Sequence, residues 1–191
     1  ERGDIVFVTV PFGAHTPTLE SIKNAVQGKV LVDVTVPLVP PRVARVQLPP
    51  EGSAGMIAQT LLGEEVQVVS ALQNVAAAHL QADMDIPCDV LVTGNEKTAR
   101  QSVIDLIEAM GMRGFHAGLI HNAAAAEALT SVLININKQY KNHAWLRLTG
   151  IECPCENRRA ASHPAAGLPR GSAGGFTGRA RRFRNARPEY Y

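Results

Sequence analysis

The side chains best suited to covalent or metal chemistry are few, and their spacing does not gather them. Cys88, Cys153 and Cys155 are an odd set, and Cys153-Pro-Cys155 has no second pair to complete a zinc knuckle. His79, His116 and His121 show no ligand spacing, and no nucleophile–base–acid arrangement stands out. Instead, polar and aromatic residues sit just past short apolar runs. These are Thr9, Pro11, Phe12 and His15 after the first run, Asp33 and Thr35 at the second, and Gln73 and Asn74 after the third. A polar group next to a buried strand is costly unless something bonds it. Such positions suit a protein that holds and orients reactants rather than one that attacks them.

The elements that must position these residues alternate in type. Asp4–Pro11 is a continuous run of β-branched and apolar residues and reads as a strand buried on both faces. Thr16-Pro17 offers an N-cap and a first-turn proline for a helix carried by Leu19, Ile22 and Val26, with Gly28 as its stop. Lys29–Val34 is a second buried strand, followed by a proline-rich loop. Ser53 caps a helix running to Leu62, with Gly63 after its last turn. Strands over Gln67–Ala71 and Asp89–Thr93 come next. Asn95 is expected to cap a helix ending at Gly111, and a short strand over Met112–His116 precedes a long helix from Asn122 to Tyr140. This alternation predicts a parallel sheet with right-handed crossovers and a C-terminal helical element.

Charge divides the chain. Residues 1–155 carry 11 basic and 15 acidic side chains, a net −4, whereas residues 156–191 carry 8 Arg and 2 Glu, a net +6. The ordered part implies no nucleic-acid partner. The Arg/Ala/Gly/Pro-rich stretch 153–191 has no apolar period and is expected to be a disordered basic tail. No run of apolar residues is long enough to cross a membrane, and the cysteine usage suits a reducing cytoplasm.

A sheet of this pattern is the frame of Rossmann domains that bind dinucleotides, and those carry G-x-G-x-x-G between the first strand and the first helix. No such match lies in a strand–turn–helix context here; Gly171, Gly174 and Gly175 follow no strand. The chain starts at Glu1 and enters a strand almost at once. The expectation is therefore a Rossmann-like NAD(P)-binding fold whose first βαβ unit is missing, with residues 1–120 as the partial domain and 121–152 as the helical element.

Several segments in order resemble the NADPH-dependent reductases of the deazaflavin coenzyme F420. They are Asp4–His15 with its Val-Pro-aromatic turn, Val32–Leu38, Gly52–Ala54, Val69–Val75, Cys88–Val92, Ala117–Leu119, Glu127–Thr130, Leu133–Asn137 and Leu148–Gly150. The resemblance spans residues 3–151. It departs at the absent N-terminal unit, at Leu119-Ile120 where Pro-Leu is usual, and at Trp145, where a small residue is common. It implies an oxidoreductase passing a hydride between NADP(H) and coenzyme F420, with no catalytic side chain and no metal. Thr9, Val10, Pro11 and Phe12 are then expected to wall the nicotinamide, with Pro37, Leu38, Val39 and Ala77 beside them. His15 either contacts the nicotinamide or its ribose, or helps cap the following helix. Gln73 and Asn74 bond the carboxamide or the deazaflavin edge. Trp145 and Tyr140 stack on the deazaflavin or pack in the core, and Asn135 and Asn137 face that pocket, a homodimer interface, or a satisfied interior. The rival readings are a Rossmann reductase of a small imine or 3-hydroxy acid, like pyrroline carboxylate reductase, and a remnant that binds no nucleotide. The former usually carries a longer helical domain with a catalytic lysine, and here only Lys138 and Lys141 near the end of one long helix could serve.

Overall fold

Five short strands order side by side as β1 (Ile5–Val8), β2 (Val30–Asp33), β3 (Gln67–Ser70), β4 (Asp89–Gly94) and β5 (Arg113–His116). The computed structural model describes residues 3–81 and 86–151; the expected basic tail lies outside them. Five helices connect or follow the strands: α1 (Phe12–Ile22), α2 (Ala54–Leu62), α3 (Ala77–Gln81), α4 (Lys97–Ala109) and α5 (Ala123–Tyr140). A 3-10 turn at Ile120–Asn122 leads into α5.

Successive strand residues face opposite sides, and each side has its own core. Leu31 and Val68 join Val8, Leu19, Ala58, Leu62, Ile120 and Ala123 beneath α1 and α2. Val32 and Val69 join Val90, Val92, Val103, Ile104 and Ile107 beneath α4. The central strands are thus covered on both faces, as their near-continuous apolar runs require. At Gly55 a methyl group would lie 3.1 Å from Ile120 and 3.3 Å from Ala123, so glycine lets α2 approach the start of α5 closely.

The α/β architecture is as expected, with three differences in detail. First, the sheet is mostly parallel rather than parallel throughout: β3 and β4 pair antiparallel, Val69 opposite Gly94 and Ser70 opposite Thr93. The connection after β3 carries only the short α3, and an antiparallel return needs no crossover to the far end of the sheet. Second, β1 is an edge strand among the described residues, with Val8 buried, Ile5 and Val6 half-buried and Phe7 43% exposed. Third, two helix starts move. α1 begins at Phe12, directly after Pro11, and Pro17 lies inside it. Thr16 does not cap it; Pro11, whose fixed φ suits a helix start, stands at that place. The α4 cap position is Glu96 without a side-chain bond, because Asn95 accepts the Ile120 N–H instead (3.4 Å). Ser53 caps α2 as expected, accepting the Met56 N–H at 3.0 Å, and Gly63 ends it at φ +86°.

Candidate functional site

Because β1, β2 and β3 run parallel, their carboxyl ends deliver Thr9–Pro11, Val34–Val39 and Ala71–Val75 to one end of the sheet. Under these loops lies a buried polar network. Asp33 is its hub, 1% exposed at the last position of β2. Its Oδ2 bonds the Nε2 of fully buried His15 at 2.7 Å, and its Oδ1 accepts the Thr35 N–H at 3.0 Å. Its backbone carbonyl accepts the Ala71 N–H at 3.2 Å and the Gln73 side-chain amide at 3.0 Å. Gln73 also donates to Ser70 Oγ at 2.6 Å, and Thr35 Oγ1 reaches the Val10 carbonyl at 3.5 Å. The Asp33 carboxylate holds α1 and its own loop, its main-chain carbonyl holds the loop after β3, and Thr35 reaches the loop after β1, so one network ties the three strand ends, as fixed placement of a flat ligand needs.

The loop after β3 carries strain. Leu72 is buried at φ +70°, a left-handed conformation that costs an L side chain on the order of 1–3 kcal/mol. The ties on either side hold it: the Ala71 N–H to Asp33, and the Val75 N–H to the Leu72 carbonyl at 3.1 Å. Helix α5 holds the same loop from the other side. Thr130 Oγ1 donates to the Gln73 carbonyl at 2.9 Å, while the Asn74 amide donates to the Ala126 carbonyl and to Thr130 Oγ1, each at 3.0 Å. Ser131 donates to the Arg45 carbonyl in the proline-rich loop at 3.3 Å.

The expected site residues divide into a surface and a support. Thr9, Pro11, Val39 and Ala77 are exposed, while Val10, Phe12 and Leu38 are half-buried. These present a mainly apolar face at the strand ends. His15 and Gln73 lie behind it with their polar atoms turned to Asp33, and Pro37 is buried. The Phe12 and His15 rings stack at 6.2 Å with 25° between planes, so the histidine backs the aromatic wall and caps no helix. His15 Nδ1 is buried and unbonded. Trp145 is half-buried against the cluster containing Ala71, Leu72, Ile86 and Cys88. Tyr140 is 74% exposed, Asn135 is exposed, and Asn137 Oδ1 accepts the Ala144 N–H at 2.6 Å. No group of three or more potential metal ligands gathers among the described residues. A cleft of about 760 Å³ exists, but it lies at the opposite end of β3, between Gln59, Glu64, Glu65, Asn95 and Glu96, away from the strand-end loops. Size alone is a poorer guide than the convergence of loops at the carboxyl ends.

Sequence reasoning missed Glu127. It is 1% exposed, and its carboxylate accepts the Ala54 N–H at 2.8 Å and the Gly55 N–H at 3.1 Å, so α5 caps the start of α2. Burial first and then the charge of Asp33 push its carboxyl up to about 7, against the lowering pull of the two N–H bonds and of His15. The signal was present as a lone acid within Ala123–Ala126 and Ala128, at helical spacing from the inward residues Ala123 and Ser131.

These same bonds decide which parts of a dinucleotide the residues fit. The apolar wall suits the face of a flat ring. A pyrophosphate needs free N–H groups at a helix start, and at α2 these are taken by Ser53 and Glu127. At α1 the Ala14 N–H already bonds the Pro11 carbonyl at 2.9 Å.

A family profile described as NADP oxidoreductase, coenzyme F420-dependent, matches residues 1–37. The F420-dependent NADP reductase of Methanocaldococcus jannaschii is 36% identical over 159 residues, which is 80% of this chain and 70% of that protein. The chain belongs to the F420-dependent NADP reductase family. The enzyme of the same name from Methanothermobacter marburgensis is 32% identical, with 79% of this chain and 70% of the relative aligned. Among solved structures, a candidate F420-dependent NADP reductase from Arthrobacter sp. FB24 superposes with a TM-score of 0.67 at 23% identity, over 75% of this chain and 67% of that one. That likeness is one of fold and agrees with the mostly parallel sheet. Two of the segments that carried the resemblance in the sequence, Val69–Val75 and Glu127–Thr130, are joined through Thr130 by hydrogen bonds to Gln73 and Asn74.

Proposed function

We propose that this chain takes part in hydride transfer between NADP(H) and coenzyme F420, supplying the ring-stacking half of the site. The observation that carries the reading is the Asp33 hub, which binds three strand-end loops into one rigid apolar wall. When bound, nicotinamide and deazaflavin supply the hydride donor and acceptor carbons themselves. The protein's own task is placement and exclusion of water, and a wall backed by a closed hydrogen-bond network does both. In this reading Thr9, Val10, Pro11 and Phe12 face the nicotinamide, with Pro37, Leu38, Val39 and Ala77 at its margins. His15 and Gln73 act from behind, keeping Phe12 and the 71–75 loop in place, and Asn74 fastens that loop to α5. Trp145, half-buried against the cluster beyond β3, lies beside the second ring in this reading. In this reading the pyrophosphate does not lie on α2, whose first N–H groups Ser53 and Glu127 already occupy.

The test is direct. Purified protein is mixed with NADPH and oxidised F420, and the loss of deazaflavin absorbance is followed. Stoichiometric loss with NADPH consumption supports the reading. Oxidation of NADPH by pyrroline carboxylate with F420 left unreduced overturns it.

A further inference from the structure

We propose that Glu127 is a positioning residue for the hydride-transfer site: by seating α5 on the first turn of α2, it sets the height of the α5 turn that holds the Gln73–Asn74 loop. The inference rests on the activity proposed above and deepens it. Glu127 touches no strand-end loop itself. Its two oxygens take the Ala54 and Gly55 N–H groups, at 2.8 and 3.1 Å, across more than seventy residues of chain. Its immediate neighbours on α5 hold the loop: Ala126 through its carbonyl and Thr130 through its hydroxyl. Farther round the same turn, Ser131 holds the carbonyl of Arg45. Within six residues, Ala126–Ser131, α5 therefore joins α2, the loop after β3 and the proline-rich loop. Glu127 is the charged member of that set, and it lies in the interior.

Geometry explains why a carboxylate is needed. Two adjacent N–H groups at a helix start point the same way, and an ionised carboxylate can accept both. A glutamine of the same shape has one acceptor and sets an NH₂ group against the other N–H. An aspartate keeps both oxygens but falls one methylene short. The groups facing Glu127 are the helix start of α2, His15 from α1 and Asp33 from β2; the histidine favours its ionised form and the aspartate opposes it. The seat of α5 thus depends on the proton content of a cluster that also contains the hub of the wall.

The experiment compares wild type, Glu127→Gln and Glu127→Asp as full chains. Amide hydrogen exchange is followed at Ala54, Gly55 and Gln73–Val75, and F420 reduction by NADPH is measured across pH 5–9. In E127Q, exchange at Gln73–Val75 is expected to rise about tenfold together with that at Ala54 and Gly55, a loss the size of one hydrogen bond. The kcat should fall by about the same factor with KM for NADPH nearly unchanged, because placement rather than ground-state binding is lost. The wild-type kcat should inflect near neutral pH, E127Q should be flat, and E127D should recover part of the inflection. Faster exchange confined to Ala54 and Gly55, or wild-type kcat in E127Q at every pH, overturns the proposal. A wild type that reduces no F420 overturns the activity reading, and the exchange measurement then still decides whether Glu127 positions the loop. If E127Q does not fold, the same comparison is made with E127D, whose exchange at Gln73–Val75 must exceed wild type.

Discussion

At the scale of single residues, the buried acids Asp33 and Glu127 differ in their partners. Asp33 is met by an imidazole and an amide, while Glu127 is met by two amides and little else. The raised carboxyl of Glu127 has a consequence for stability. Its folded-state value of about 7 lies above the unfolded value of 4.5, so the folded protein holds more protons between them. Stability should therefore be greatest, from this group, below about pH 4.5 and should decline as pH rises through about 7. Thermal melts of wild type against Glu127→Gln over that range should show the wild-type advantage shrinking steadily with pH. A constant difference would mean that Glu127 does not titrate there. His15→Phe tests the hub. Phenylalanine fills the space and can stack on Phe12, but it leaves Asp33 Oδ2 buried without a donor, at a cost of about 1–3 kcal/mol. His15→Gln, which retains a donor, should recover part of that loss in urea unfolding.

Among the elements, one ion pair helps fasten β4 and β5 to the segment after α5. Arg113 bonds Asp89 through two nitrogens, at 2.6 and 2.5 Å, and also the Leu148 carbonyl at 3.1 Å. Asp89 in turn accepts the Leu148 N–H, and its own N–H bonds the Leu146 carbonyl. Burial alone would raise the Asp89 carboxyl, but Arg113, the Leu148 N–H and the charge of Arg147 together hold it below its usual value. A depressed carboxyl contributes stability above its unfolded value and loses it as pH falls, so this join weakens in acid. Arg113→Met leaves a fully buried carboxylate unpaired and should cost about 3–5 kcal/mol in chemical unfolding. A change under 1 kcal/mol would show that the pair is dispensable. The helix starts were misplaced from sequence for a related reason. Asn95 and Thr16 are good caps by type, but Asn95 is engaged by Ile120, and Pro11 and Phe12 open α1 earlier than composition alone suggests.

For the whole molecule, affinity for nucleotide follows from what the described residues offer. They present an apolar wall and a few hydrogen-bonding groups, each worth only about 0.5–1.5 kcal/mol net, and the start of α2 is closed to a pyrophosphate by Ser53 and Glu127. NADPH titrated into the protein, followed by calorimetry, should bind weakly, with a Kd above the micromolar range. Micromolar or tighter binding would place the affinity in residues other than the wall.

The α/β order, every strand and every helix but the short α3 with their approximate limits, the Ser53 cap and the three strand-end loops were legible in the sequence, because each depends on local pattern: apolar runs, capping side chains, glycine and proline. The family too was legible, as an ordered set of short segments. What only the tertiary structure decided is which groups meet. The reversal of β4, the edge position of β1, the retreat of His15 and Gln73 behind the wall, and the capping of α2 by Glu127 all join residues from about twenty to more than seventy apart in sequence. Periodicity reports whether a residue faces inward. It carries no information on which donor an inward carboxylate will find, since that is set by how two separate elements pack, and for Glu127 by the close approach that Gly55 allows.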